Sequence, residues 1–228
     1  MADLVAQNQG NNLIKEGYAN GMTYQPAREL TPGSHNGSIK SISFAVDSPN
    51  VFMTAAEETA SQGRIRWFDI RGGSGTIAEH TIDGQIGSCT MNVKPSLRGG
   101  SYPTSNALPD PEAAVLSVAA GKSIYFFSGF SQHPSLLLRR IEDLPRDSTC
   151  AALDISSRKF VTGCKDDTHV HVYDYDEKTE VDVGRGHHGP VWIAAFSPDG
   201  KLYATGSEDG TIKLWKWSEG QYGLWRGE

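Results

Sequence analysis

Cysteine is scarce in this sequence. Three of the 228 residues are cysteines (Cys89, Cys150 and Cys164), and no two of them form a Cys-x-x-Cys pair. An odd number without that spacing excludes a disulfide framework and a zinc site, and points to reduced thiols in the cytosol or nucleus. Long apolar runs are missing too, and none nears the ~18 residues that a membrane-spanning helix needs. Nor is there a surplus of positive charge: Lys plus Arg is 21 against 27 for Asp plus Glu, a net charge of −6. Direct binding to a phosphate backbone is therefore not expected. The opening stretch MADLVAQNQGNN has neither a basic leader nor an apolar core, so secretion is not expected either. Glycine (25) and proline (11) stay well below low-complexity levels. What remains, 38% hydrophobic and 21% charged, suits one or two soluble globular domains with a substantial core.

The clearest pattern is VWIAAFSPDGKLYATGSEDGTIKLW over residues 191–215. Short runs of Val, Ile, Phe, Tyr and Leu alternate with the turn clusters SPDG and SEDG. Period-2 apolar residues bounded by Asp-Gly turns make antiparallel strands joined by tight hairpins. No helical stripe with caps at both ends competes with it, so the fold class is all-β.

The pattern repeats. TIKLWK is matched by HVHVYD, KSIYFFS and GRIRWFD, whose aromatic positions 215, 173, 127 and 68 are separated by 42, 46 and 59 residues. GHHGPVWIAAFSPDG matches SHNGSIKSISFAVDS at a constant offset of 152 residues. Four copies of a four-stranded unit at a period near 42 indicate a β-propeller. The intervals place blades at about 31–76, 77–133, 134–178 and 179–228, after a poorly defined segment 1–30. A Pro-, Gly- and Ser-rich stretch, 94–113, reads as a surface insertion within the second copy. RGGSG (71–75) lacks the Lys-Ser/Thr of a phosphate loop and reads as a turn between blades.

GH followed by SPDG and then SEDGTIKLW resembles the WD-repeat propeller family. Over residues 160–226 the pieces YDY, GHHGP, FSPDG, LYATGSEDGT and YGLW are similar, more narrowly, to the serine-threonine kinase receptor-associated (Unr-interacting) family of WD-repeat proteins. That family has seven repeats, and the four seen here correspond to its last four. The resemblance implies a non-enzymatic adaptor with protein partners: the survival-of-motor-neuron complex that assembles spliceosomal snRNPs, the RNA-binding protein Unr, and a receptor kinase in animals. A second resemblance, to the i subunit of translation initiation factor three, is the alternative. An adaptor of either kind needs no cofactor, metal, small-molecule substrate or membrane.

His187, Thr205, Asp209 and Trp215 fall where WD repeats place a hydrogen-bonded tetrad. A Thr, His and Asp could also suggest a hydrolase triad. Thr is, however, a poor nucleophile without an N-terminal amine, so the expected role is structural. Partial versions are His35 with Thr54 and Phe68, and Thr162 with Asp166 or Asp167 and Tyr173, while Gly121 replaces the aspartate in the second copy. His169 and His171 share a strand face, but with no Asp, Cys or third His placed to complete a metal site, and position 171 aligns with the solvent-facing Lys213. Trp192 aligns with Lys40 at the same offset of 152. The residue after the GH loop lines the rim of such propellers, so Trp192, Lys40 and Glu208 are the candidate partner contacts. Four blades cover about four-sevenths of a seven-bladed ring. The expectation is an open arc, from a truncated chain or an incomplete gene prediction, that self-associates when isolated.

Overall fold

The structure is a computed structural model and describes residues 18–19, 22–23, 35–71, 76–97 and 110–217. Near the start, β1 (Tyr18–Ala19) and β2 (Met22–Thr23) pair antiparallel. The rest of segment 1–30, the middle of the 94–113 insertion and the terminal YGLW fall outside the described residues.

Four antiparallel sheets follow. The first contains β3 (Ser38–Phe44), β4 (Val51–Thr59), β5 (Gln62–Asp69) and β6 (Thr76–Asp83). The second contains β7 (Ile86–Val93), β8 (Ala114–Ala120), β9 (Ser123–Ser128) and β10 (Leu137–Ile141). The third contains β11 (Ser148–Asp154), β12 (Lys159–Cys164), β13 (Val170–Asp174) and β14 (Glu180–Gly184). The fourth contains β15 (Val191–Phe196), β16 (Leu202–Ser207) and β17 (Ile212–Lys216), three strands among the described residues where four were expected.

The sheets are offset by one strand from the sequence intervals. β6, β10 and β14 each close the preceding sheet, although most or all of each lies in the following interval. The reason is that the repeat signature ends on the third strand, while the fourth is edge-like and carries little apolar signal: the burial of β14 runs from exposed to intermediate throughout. The same offset corrects the reading of RGGSG. β5 and β6 belong to one sheet, so the interval between them does not separate two blades; residues 72–75 themselves lie outside the described residues.

In each hairpin SPDG and SEDG, a positive-φ glycine closes the turn. Gly200 lies at φ 69° and Gly210 at φ 78°, a region that a side chain disfavours. Their amides donate to Ser197 and Ser207 carbonyls at 2.9 and 3.2 Å.

Because successive side chains on a strand face opposite ways, each sheet offers one face to the sheet before it and the other to the sheet after. Met53, Ala55, Ile65 and Trp67 of the first sheet pack against Leu116, Val118, Tyr125 and Phe127 of the second. The other face of the second, with Val115, Ala119, Ile124 and Phe126, packs on Ala151, Leu153, Phe160 and Tyr173 of the third. Cys150, Ala152, Val161 and Val172 then pack on Val191, Ala194, Tyr203 and Trp215 of the fourth. Trp67 is fully buried, as its place beside Ile65 required. Burial of each such large side chain contributes about 1.5–3 kcal/mol.

This alternation leaves the series of sheets open. On the fourth sheet, Ile193, Ile212 and Leu214 share the face turned away from the third and are 59%, 79% and 55% exposed. On the first sheet, Ile39, Ile42 and Phe44 of β3 are 56%, 62% and 57% exposed, beside the buried Phe52–Phe68 stack.

Candidate functional site

The first strands of the four sheets, β3, β7, β11 and β15, lie side by side. Thr90 on β7 donates to the Ala194 carbonyl on β15 at 3.4 Å, and Ser41 on β3 donates to the Cys89 carbonyl at 3.5 Å. Each of these inner strands breaks register near its start, between Ile39 and Ser41, Ile86 and Cys89, Ser148 and Cys150, and Val191 and Ile193. The residues left unpaired include Lys40, Gly87, Thr149 and Trp192. A β-bulge turns its extra residue out of the ladder, and all four of these residues line one cleft of about 370 Å³.

The cleft thus brings together two of the three residues selected from the sequence, Lys40 and Trp192. Glu208 stands behind Trp192 and accepts from its indole Nε1 at 3.2 Å. The equivalent arrangement holds Lys40, whose ammonium lies 2.9 Å from Glu57. That hydrogen bond is the main cause holding the Glu57 carboxyl below its ordinary value. Glu57, Gly87 and Thr149 were missed in the sequence reading. The offset that relates Lys40 to Trp192 would have found Glu57 to within one position, whereas Gly87 and Thr149 lie in copies with no GH signature. Gly87 is demanded by proximity, since a Cβ there would stand 2.2 Å from the Thr149 carbonyl oxygen.

The tetrad residues come together on the opposite edge of the fourth sheet's hairpins from SPDG. Trp215 Nε1 donates to Thr205 Oγ1 at 2.8 Å, Thr205 Oγ1 lies 2.8 Å from His187 Nε2, and His187 Nδ1 lies 3.1 Å from Asp209 Oδ2. A single tautomer satisfies the chain: the His187 Nδ1–H donates to Asp209, leaving Nε2 to accept the Thr205 hydroxyl proton. Asp209 also accepts from the His188 and Thr211 amides and the Thr211 hydroxyl. The Thr211 hydroxyl bond, then the His188 amide, hold its carboxyl far below the ordinary range. Thr211 is a fifth member that the sequence reading did not single out.

The other copies vary. His35 Nε2 lies 2.6 Å from Thr54 Oγ1 and its ring 6.4 Å from Phe68, as grouped in the sequence. The carboxylate beside it is Glu58, at 3.7 Å, which also pairs with Arg64 and Arg66. Burial and then the Arg66 charge lower the His35 pKa below its ordinary value. In the third sheet the expected grouping fails. Thr162 donates to the Gly163 carbonyl, and Tyr173 donates to Glu180 instead.

His171 corrects the alignment with Lys213, being 2% exposed rather than solvent-facing. It lies between Asp167 at 3.1 Å and Glu180 at 3.0 Å. An aspartate is therefore placed beside both imidazoles, since Asp167 also accepts from His169 at 2.5 Å. Burial raises the Asp167 carboxyl, but the His169 and His171 hydrogen bonds outweigh it and hold it at about 2. Arg146, 3.0 Å from the same carboxylate, adds a positive charge that disfavours a cation. Among the described residues no group of three or more His, Cys, Asp or Glu is arranged to hold a metal ion.

Residues 178–216 match the family described as WD domain, G-beta repeat, a span running from β14 through β17. The chain is 31% identical to the serine-threonine kinase receptor-associated protein of Dictyostelium discoideum over 187 residues, covering 82% of this chain and 54% of that protein. It is 37% identical to the human protein of that name over 118 residues, 51% of this chain and 32% of the relative. The bovine counterpart is 38% identical over 118 residues, with the same coverage. The chain spans between a third and about half the length of these relatives. With its blade-like sheets and repeated inner-strand bulges, the chain is a WD-repeat protein related to the serine-threonine kinase receptor-associated proteins.

Proposed function

We propose that the chain acts as a non-enzymatic scaffold that holds a protein partner at the cleft between its inner strands. The observation that carries this reading is the convergence of the bulged positions Lys40, Gly87, Thr149 and Trp192 on one cleft, with Glu57 and Glu208 steadying the two long side chains. A 42%-exposed tryptophan beside a lysine, on rigid strands, is the kind of anchor on which protein interfaces concentrate their binding energy. The tetrad supports the structural role over a hydrolytic one. Thr205 is 1% exposed and its oxygen is already engaged by both Trp215 and His187, so no substrate carbonyl can reach it.

The relatives' name points to association with a serine-threonine kinase receptor. The sequence resemblance favours assembly of spliceosomal snRNPs with the survival-of-motor-neuron complex, and mRNA metabolism with an Unr-like protein, in the cytoplasm and nucleus. The test is affinity capture of the tagged protein from its own cells, followed by identification of co-purifying proteins. Recovery of Sm or survival-of-motor-neuron components is the expected result. Recovery of translation initiation factor subunits instead would favour the alternative resemblance.

A further inference from the structure

The open faces at the two ends of the sheet series are halves of one interface, which the chain makes three times between its own sheets. The first half lies on the third strand. Ile65 and Trp67 of the first sheet, Ile124 and Phe126 of the second, and Val170 and Val172 of the third are all buried against the sheet that follows. They stand three and one residues before the repeat aromatics at 68, 127 and 173. The same spacing before Trp215 selects Ile212 and Leu214, which are 79% and 55% exposed. The second half lies on the first strand. In the fourth sheet Val191 and Ala194 are buried against the third, with Phe196 packed beside them. The offset of 152 residues makes Ile39, Ile42 and Phe44 their counterparts in the first sheet, where each is more than half exposed. Behind them Phe52 and Phe68 stack at 5.1 Å and 14°, as Tyr203 and Trp215 do in the fourth sheet at 5.9 Å and 8°. Phe52 and Phe68 are already buried, so the open part of this half is the β3 rim.

We propose that a second copy of this chain docks head to tail, the fourth sheet of one copy on the first sheet of the next, with Ile193, Ile212 and Leu214 packed against Ile39, Ile42 and Phe44. The repeat supplies the fit. Positions that a following sheet covers three times are open on the fourth sheet, and positions that a preceding sheet covers in the fourth are open on the first. Within one copy the two halves do not meet, because the second and third sheets stand between them. Two fourth sheets placed face to face would instead join like with like, a pairing that none of the chain's three interfaces uses. Burying the open isoleucines, leucine and phenylalanine removes apolar surface from water, which is the driving force for the contact. A contact of this kind uses different surfaces on the two copies, so each copy retains one free end until a ring closes.

The experiment uses the full chain and two double variants, each blocking one half. Ile212→Lys with Leu214→Lys blocks the fourth sheet, and Ile39→Lys with Ile42→Lys blocks the first. Sedimentation of the parent chain should show assemblies of two or more copies. Either variant alone should be monomeric at concentrations where the parent associates. An equimolar mixture should recover association and stop at two copies, because each variant still offers the half that the other lacks. A monomeric parent would overturn the proposal and assign the open faces to another cover, the chain's own residues or a different protein. Self-association of the variant blocked on the first sheet would overturn it in favour of pairing between fourth sheets. A mixture that stays monomeric would overturn it as well. Tm is measured for both variants, and where a lysine pair lowers it, serine at the same two positions repeats the test.

Discussion

Lys40 and Trp192 occupy the same bulged position on the first and last inner strands, and they line one cleft although 152 residues separate them in sequence. Each is steadied by a glutamate of its own sheet, Glu57 at 2.9 Å and Glu208 at 3.2 Å. A repeat architecture does this without long-range design, since one local bulge copied along the chain is gathered by sheet packing into one place.

Asp209 separates the structural from the catalytic reading of the tetrad. Asp209→Ala removes the acceptor for His187, the His188 amide and Thr211 together. The expected outcome is a Tm lower by several degrees, with partner binding lost only as far as folding is lost. Unchanged thermal stability with abolished function would revive a catalytic triad.

Acid should unfold the chain along a defined course. The Asp209 and Asp167 carboxyls lie below their ordinary value of 3.8 in the folded protein, Asp167 at about 2. A depressed carboxyl contributes stability that is complete above the unfolded value and is lost as pH falls through the folded one. His35, also lowered from 6.5, acts in the same direction at higher pH, because the unfolded chain takes up its proton first. Chemical denaturation midpoints should therefore decline modestly from pH 7 to 5 and steeply below pH ~4. His35→Gln should lessen the first decline, to which His80, also lowered by burial, contributes in the same direction, and leave the second.

Gly87 has no room for a side chain. Its Cβ would press on the Thr149 carbonyl at 2.2 Å, backbone against backbone, so β7 or β11 must shift to admit it. Gly87→Ala should cost about 1–3 kcal/mol in denaturant unfolding. Gly200→Ala, with nothing within 4 Å, is strained only by its positive φ and should cost less.

The uncovered end faces should drive self-association. Ile212 and Leu214 expose most of their surface on the face that each other sheet gives to its successor. Sedimentation of the isolated chain should show oligomers that diminish in Ile212→Lys combined with Leu214→Lys. A monomeric parent chain would contradict this.

The sequence made the all-β repeat, the hairpin turns and the fourth-sheet tetrad legible, because Asp-Gly turns and a His-Thr-Asp-Trp pattern leave local marks. It misled where the mark was absent or borrowed. β6, β10 and β14 close the sheets before them but carry few buried apolar residues. His171 resembled a surface position by alignment, yet Asp167 and Glu180 supply enough hydrogen-bonding acceptors for it to be buried. Gly87 and Thr149 left no signal at all, since their place at the cleft depends on the register breaks of β7 and β11 and not on any motif.

Lys40 and Trp192 are proposed to form a partner contact and not a packing element. The most direct test pairs Tm with partner capture for Trp192→Ala combined with Lys40→Glu. Both side chains are exposed at bulges outside the ladder, so the expected result is an unchanged Tm and loss of the captured partners. Partners retained at wild-type levels, or a fall in Tm matching that of Asp209→Ala, would contradict it.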